Sequence, residues 1–68
     1  MKEILQKIWK EVLELETIPE TTVSFFDLGG NSFLAAQVIA ILEEQTGKTA
    51  EVVDFYDNET IEDFVDLL

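Results

Sequence analysis

The 68-residue chain has no cysteine, no histidine, one proline and four basic residues. Each shortage removes some chemistry. Without cysteine there is no disulfide and no thiolate zinc site. Without histidine the commonest metal ligand and the commonest general base are both missing. A Ser-His-Asp or Cys-His arrangement cannot be assembled from this chain alone. Lys2, Lys7, Lys10 and Lys48 face fifteen carboxylates, for a formal net charge of −11. From Glu11 to Gly47 there is no positive side chain. Such a surface repels phosphate backbones and anionic lipid, so neither nucleic acid nor membrane is an expected partner. A protein with a basic patch would be attracted. No segment reaches the ~20 apolar residues of a membrane span. Gln6, Lys7 and Lys10 interrupt the apolar residues behind Lys2 before a signal-peptide core forms. The expected compartment is the cytoplasm.

What is present is apolar material, 47% of the chain, enough for a core and too much for low-complexity disorder. The length argues for one domain over residues 1–68. Residues 2–15 read as an amphipathic helix, with Ile4, Ile8, Val12 and Leu15 at helical spacing and Leu5 and Trp9 widening the stripe. A long connection follows, from about Glu16 to Asn31, and contains the only proline, Pro19. Long loops in small domains are functional or packed by their own side chains. Phe25, Phe26 and Leu28 are the expected plugs, at least two of them inside.

Residues 32–46 form the second predicted helix, with Ser32 as N-cap and Gly47 as the left-handed residue that stops it. Leu34, Ala35, Val38, Ile41 and Leu42 make its buried face, broadened by Ile39. Phe33, Ala36, Gln37, Ala40 and Glu44 then point outward. Val52 to Tyr56 is short and apolar. Its valines favour a strand, but with no partner strand a helical turn is expected. Thr60 with Asp63 three residues on opens the last helix, whose apolar face is Ile61, Phe64, Val65 and Leu68. The predicted fold class is all-α, a small four-helix bundle of three main helices and one short one, with a long first loop.

Two motifs fail on inspection. Gly47-Lys48-Thr49 resembles the tail of a phosphate-binding loop, but Leu42 stands where that motif needs glycine, and a helix precedes it rather than a strand. A calcium loop starting at Asp27 would need glycine and glutamate where Ser32 and Val38 stand. No other acidic cluster has ligand spacing.

The stretch FFDLGGNSF, residues 25–33, remains. Ser32 follows two glycines at the mouth of a helix with no base to activate it. A cap alone does not need both glycines. A serine without a resident base can still be modified by another enzyme if it is approachable, and Gly29 and Gly30 leave it uncrowded while permitting unusual backbone angles. An anionic group attached there meets the unpaired amides and dipole of the helix N-terminus.

The run Phe25-Phe26-Asp27-Leu28-Gly29-Gly30-Asn31-Ser32-Phe33-Leu34-Ala35 resembles the signature of peptidyl and aryl carrier (thiolation) domains of non-ribosomal peptide synthesis, cousins of acyl carrier proteins. The resemblance extends over nearly the whole chain, and Tyr56 to Ile61 resembles the family's aromatic-then-Pro-Thr-Ile stretch. Asn31 replaces a frequent histidine, Glu59 a frequent proline and Phe33 the commoner leucine. The resemblance implies an acyl-carrier-like fold and attachment of 4′-phosphopantetheine, from coenzyme A, to Ser32. Asp27, Gly29 and Gly30 would shape the site or give access to it. The arm would hold an aminoacyl, aryl or acyl group as a thioester, and the carrier would catalyse nothing itself. The implied partners are a phosphopantetheinyl transferase and adenylation, condensation and thioesterase-type enzymes. Phe33, Ala36, Gln37 and Ala40 are the expected docking face, and a monomer is expected. The alternatives are an acyl carrier for fatty-acid or polyketide synthesis and an acidic helical interaction module in which Ser32 only caps.

Overall fold

The first helix, α1 (Lys2–Val12), forms where apolar and charged residues segregate sharply to opposite faces. In the computed structural model, which describes residues 1–68, its buried residues are Leu5, Ile8 and Trp9, with Ile4 and Val12 half-buried. The buried stripe is therefore rotated from the predicted one, and the margin residues Leu5 and Trp9 are its centre. The helix also stops three residues earlier than periodicity suggested. The Leu15 amide donates to the Lys10 carbonyl at 2.9 Å and the Glu14 amide to the Glu11 carbonyl at 3.3 Å. This Schellman pairing requires a left-handed residue after the cap. Glu14 takes that conformation, with φ of 54°, and is the only residue other than glycine to do so.

The connection from Glu14 to Asn31 is stitched to the far end of the chain. The Phe25 amide donates to the Glu59 carbonyl at 2.7 Å, and the Glu62 amide to the Thr21 carbonyl at 3.0 Å. Side chains repeat the pairing: Ser24 donates to Glu59 at 2.7 Å and Thr21 to Glu62 at 2.8 Å. The Thr21 hydroxyl, and then Lys2, hold the Glu62 carboxyl below its ordinary pKa. Gln6 on α1 donates to the carbonyl of the buried Pro19 at 2.8 Å. Of the three expected plugs only Phe25 is fully buried, and Phe26 and Leu28 lean half-buried against the core. Backbone bonding to Glu59 and Glu62 supplies the rest of the anchoring.

The second helix, α2 (Ser32–Thr46), buries Ala35, Val38 and Leu42, with Leu34, Ile39 and Ile41 half-buried beside them. Gly47 ends it at φ of 76°, its amide donating to the Glu43 carbonyl. Next, α3 (Val52–Asp57) is a short helix whose Glu51 amide is capped by Asp54 at 2.9 Å. The last, α4 (Ile61–Phe64), is one turn opened by Thr60, whose hydroxyl accepts from the Asp63 amide at 3.2 Å. A 3-10 turn, Val65–Leu67, continues it. The bundle thus has two long helices and two short ones, and no strand.

All four helices and the loop contribute to one core, centred on rings. Trp9 meets Phe25 edge-on at 4.9 Å, Phe25 meets Phe55 at 4.8 Å, and Phe55 meets Phe64 at 4.5 Å. These centroid distances lie in the favourable range for aromatic pairs. Phe25 lies among these rings, so the loop that leads to Ser32 is fixed at the centre of the core.

Candidate functional site

The site begins at Asn31. Its backbone is extended, and its side chain accepts from the Leu34 amide at 2.9 Å, so Asn31 is the N-cap of α2. This corrects the expectation for Ser32, which is the first helical residue rather than the cap. Both residue types cap well. The backbone turns helical at Ser32, and that assigns the cap to the residue before it. The Ala35 amide reaches the Asn31 carbonyl at 2.8 Å. The amides of Ser32 and Phe33 have no acceptor within the protein, as the first turn of a helix dictates.

Freed from capping, the Ser32 hydroxyl is exposed and reaches toward α3. It shares a hydrogen bond with the hydroxyl of Tyr56, on α3, at 2.5 Å. Nothing bonded to it is a general base. No group of histidine, cysteine or carboxylate side chains in the structure is arranged to hold a metal ion.

The two glycines before it perform different tasks. Gly29 is left-handed, φ of 98°, and a Cβ there would meet open space. Gly30 is where the Phe25 ring sits: a Cβ would come to 2.3 Å from its Cε2. Gly29 thus turns the chain and keeps the approach clear, while Gly30 lets the backbone lie on the buried ring. Asp27 is exposed and makes no side-chain hydrogen bond.

The outward residues of α2 divide into two groups. Phe33, 71% exposed, stands next to Ser32. Gln37 and Ala40 lie further along and line a shallow groove with Glu11, Val12 and Glu14 at the end of α1. Ala36 is exposed between them. Sequence patterning did not single out Tyr56 or Val53 as site residues, and both are exposed apolar residues of α3. Their i,i+3 spacing puts them on one face, a usable signal, but no periodicity links that face to Ser32.

An exposed hydroxyl, two free amides and an open flank fit the phosphodiester of a phosphopantetheine arm. Residues 3–68 match the family model described as "Phosphopantetheine attachment site". The chain is 48% identical over 63 residues, 93% of its length, to one of the plipastatin synthase polypeptides of Bacillus subtilis, spanning 2% of that protein. It is 36% identical over 55 residues, 81% of its length, to the nonribosomal peptide synthetase acrB of Aspergillus aculeatus, spanning 4% of it. Among solved structures it is similar to BlmI, a type-II acyl carrier protein from Streptomyces verticillus involved in bleomycin biosynthesis. That likeness has a TM-score of 0.85 at 23% identity and covers 97% of this chain and 78% of the other. Sequence over nearly its full length and fold together show that the chain belongs to the phosphopantetheine attachment family, carrier domains that bear 4′-phosphopantetheine covalently.

Proposed function

We propose that Ser32 is the attachment residue and that residues 1–68 act as a single carrier domain of non-ribosomal peptide-type synthesis. The observation that carries this is the exposed Ser32 hydroxyl at the first turn of α2, beside two unpaired amides. The synthetase relatives support peptide-synthetase chemistry over fatty-acid or polyketide chemistry. In loading, the Ser32 oxygen forms a bond to the phosphorus of coenzyme A that bears pantetheine. The bond from that phosphorus to adenosine 3′,5′-bisphosphate breaks. The serine proton leaves to a base on the transferase, because no base on this chain hydrogen-bonds it. The arm supplies the thiol that the chain lacks, and the thiol holds an aminoacyl, aryl or acyl group as a thioester. The domain presents this cargo to adenylation, condensation and thioesterase-type enzymes in the cytoplasm as a monomer, and is not itself an enzyme.

Incubation with coenzyme A and a broad-specificity transferase is expected to add one phosphopantetheine mass to the parent and none to Ser32→Ala. Labelling that persists in Ser32→Ala would place attachment elsewhere.

Docking centres on Phe33, whose ring is the most exposed large apolar side chain in the structure. The small Ala36 and Ala40 let a partner approach α2, and Gln37 offers it a polar contact. Phe33→Asp is expected to keep helicity and melting temperature while slowing loading and condensation. Loading and condensation at the parent rates would remove Phe33 from the interface.

A further inference from the structure

The hydrogen bond between Ser32 and Tyr56 joins α2 to α3 at the one hydroxyl to be modified. Tyr56 is the only tyrosine in the chain, and its ring is firmly placed. It stacks on Phe26 at 4.8 Å and 22°, and Phe26 stands edge-on to Phe25 at 5.6 Å. Phe25 is fully buried. Three rings therefore run from the core to the Ser32 oxygen. Phenylalanine would serve the stack equally well. Tyr56 is 52% exposed, so water alone could satisfy its hydroxyl.

We propose that Tyr56 is a positioning residue for the prosthetic arm: its hydroxyl holds the Ser32 oxygen before loading and donates to the phosphodiester afterwards. This rests on Ser32 being the attachment residue. Before loading, either hydroxyl can donate to the other. Loading removes the serine proton, so Tyr56 becomes the sole donor of the pair. The non-bridging phosphate oxygens lie two bonds from the serine oxygen, within reach of a hydroxyl already there. The charge has few other counterweights. Lys2 is paired with Glu62, Lys48 donates to the Leu68 carbonyl, Lys7 and Lys10 of α1 line a hollow with Glu11 and Ile18, and no cation lies between Glu11 and Gly47 in the sequence. The donors set against the new anion are neutral: this hydroxyl and the free amides of Ser32 and Phe33. Attachment thereby exchanges a serine–tyrosine bond for a phosphate–tyrosine bond, and α3 senses whether α2 is loaded.

The test compares the parent with Tyr56→Phe, which keeps the ring and its stack and loses only the hydroxyl. Intact mass first establishes that the parent gains the arm at Ser32, and a parent with no gain there overturns the attachment reading itself. With the gain established, two readouts decide the two halves of the proposal. Before loading, Tyr56→Phe is expected to lower the transferase kcat by about three- to tenfold with KM for the carrier unchanged, the signature of lost orientation rather than lost binding. A parental kcat overturns the first half. After loading, the phosphorus NMR line of the Tyr56→Phe protein is expected to be displaced from the parent's, and coincident lines overturn the second half. The parent alone gives a reading that survives any folding defect in the variant. The ring resonances of its single tyrosine must move on loading, and unmoved resonances overturn the second half as well.

Discussion

Two adjacent residues at the start of α2 divide work that either could do. Asn31 caps the helix through its side chain, which leaves the Ser32 hydroxyl free to face outward. If Ser32 were the cap, esterification of its oxygen would compete with the hydrogen bond that starts the helix. Separating the roles would let Ser32, as the proposed attachment residue, be modified without unwinding its own helix. The expected consequence is measurable by thermal or urea melts. Asn31→Ala should cost about 0.5–2 kcal/mol, the usual worth of an N-cap. Ser32→Ala loses one exposed hydrogen bond and should cost less, about 1 kcal/mol or under. The opposite order of stabilities would mean that Ser32 caps in solution. The sequence could not decide between them, because asparagine and serine cap equally well and stand side by side.

At the scale of elements, the end of α1 contains a conformational cost. Glu14 occupies a left-handed position that the Schellman hydrogen bonds demand, and a side chain there is strained by about 1–2 kcal/mol. Glycine would remove that strain but add freedom to the unfolded chain, an opposing effect of roughly 0.5–1 kcal/mol. Glu14→Gly should therefore stabilise by up to about 1.5 kcal/mol, raising the melting temperature while loading at Ser32 proceeds as before. A lower melting temperature would show that the Glu14 side chain stabilises the fold through its contacts. The absent glycine also explains why the sequence predicts a helix to residue 15: the apolar spacing continues through Leu15, and no stop residue marks the turn. Gly47 and Thr60 carried such marks, and the end of α2 and the start of α4 were legible from them. The short α3 was legible because a lone strand would have had no partner. The anchoring of the long loop was only partly visible. Phe25 could be read as a plug, but backbone bonds to Glu59 and Glu62 pair residues far apart in the chain and leave no periodic trace. The link from Ser32 to Tyr56 escaped for the same reason, being a tertiary contact between two helices whose individual patterns say nothing of each other.

For the whole molecule, the dominant physical fact is the charge of −11 on a chain with one ion pair. That pair, Lys2 with Glu62 at 3.1 Å, is exposed on both sides, and solvent-exposed pairs contribute little to stability. Repulsion among the remaining carboxylates opposes the compact state and is expected to outweigh that one pair. The same field that strains the fold would draw in a basic-rimmed transferase. Salt separates the two effects because it screens both. Between about 0.01 M and about 0.15 M sodium chloride the Debye length falls from about 30 Å to about 8 Å. Chloride is the appropriate anion, since sulfate would also stabilise by exclusion from the surface. Over that range the melting temperature should rise as self-repulsion is screened. Over the same range kcat/KM for loading should fall with kcat unchanged, because steering acts on encounter rather than on chemistry. A melting temperature that falls with salt would mean that the single ion pair outweighs the repulsion. A kcat/KM indifferent to salt would mean that the acidic surface guides no partner and that docking rests on Phe33 and its neighbours alone.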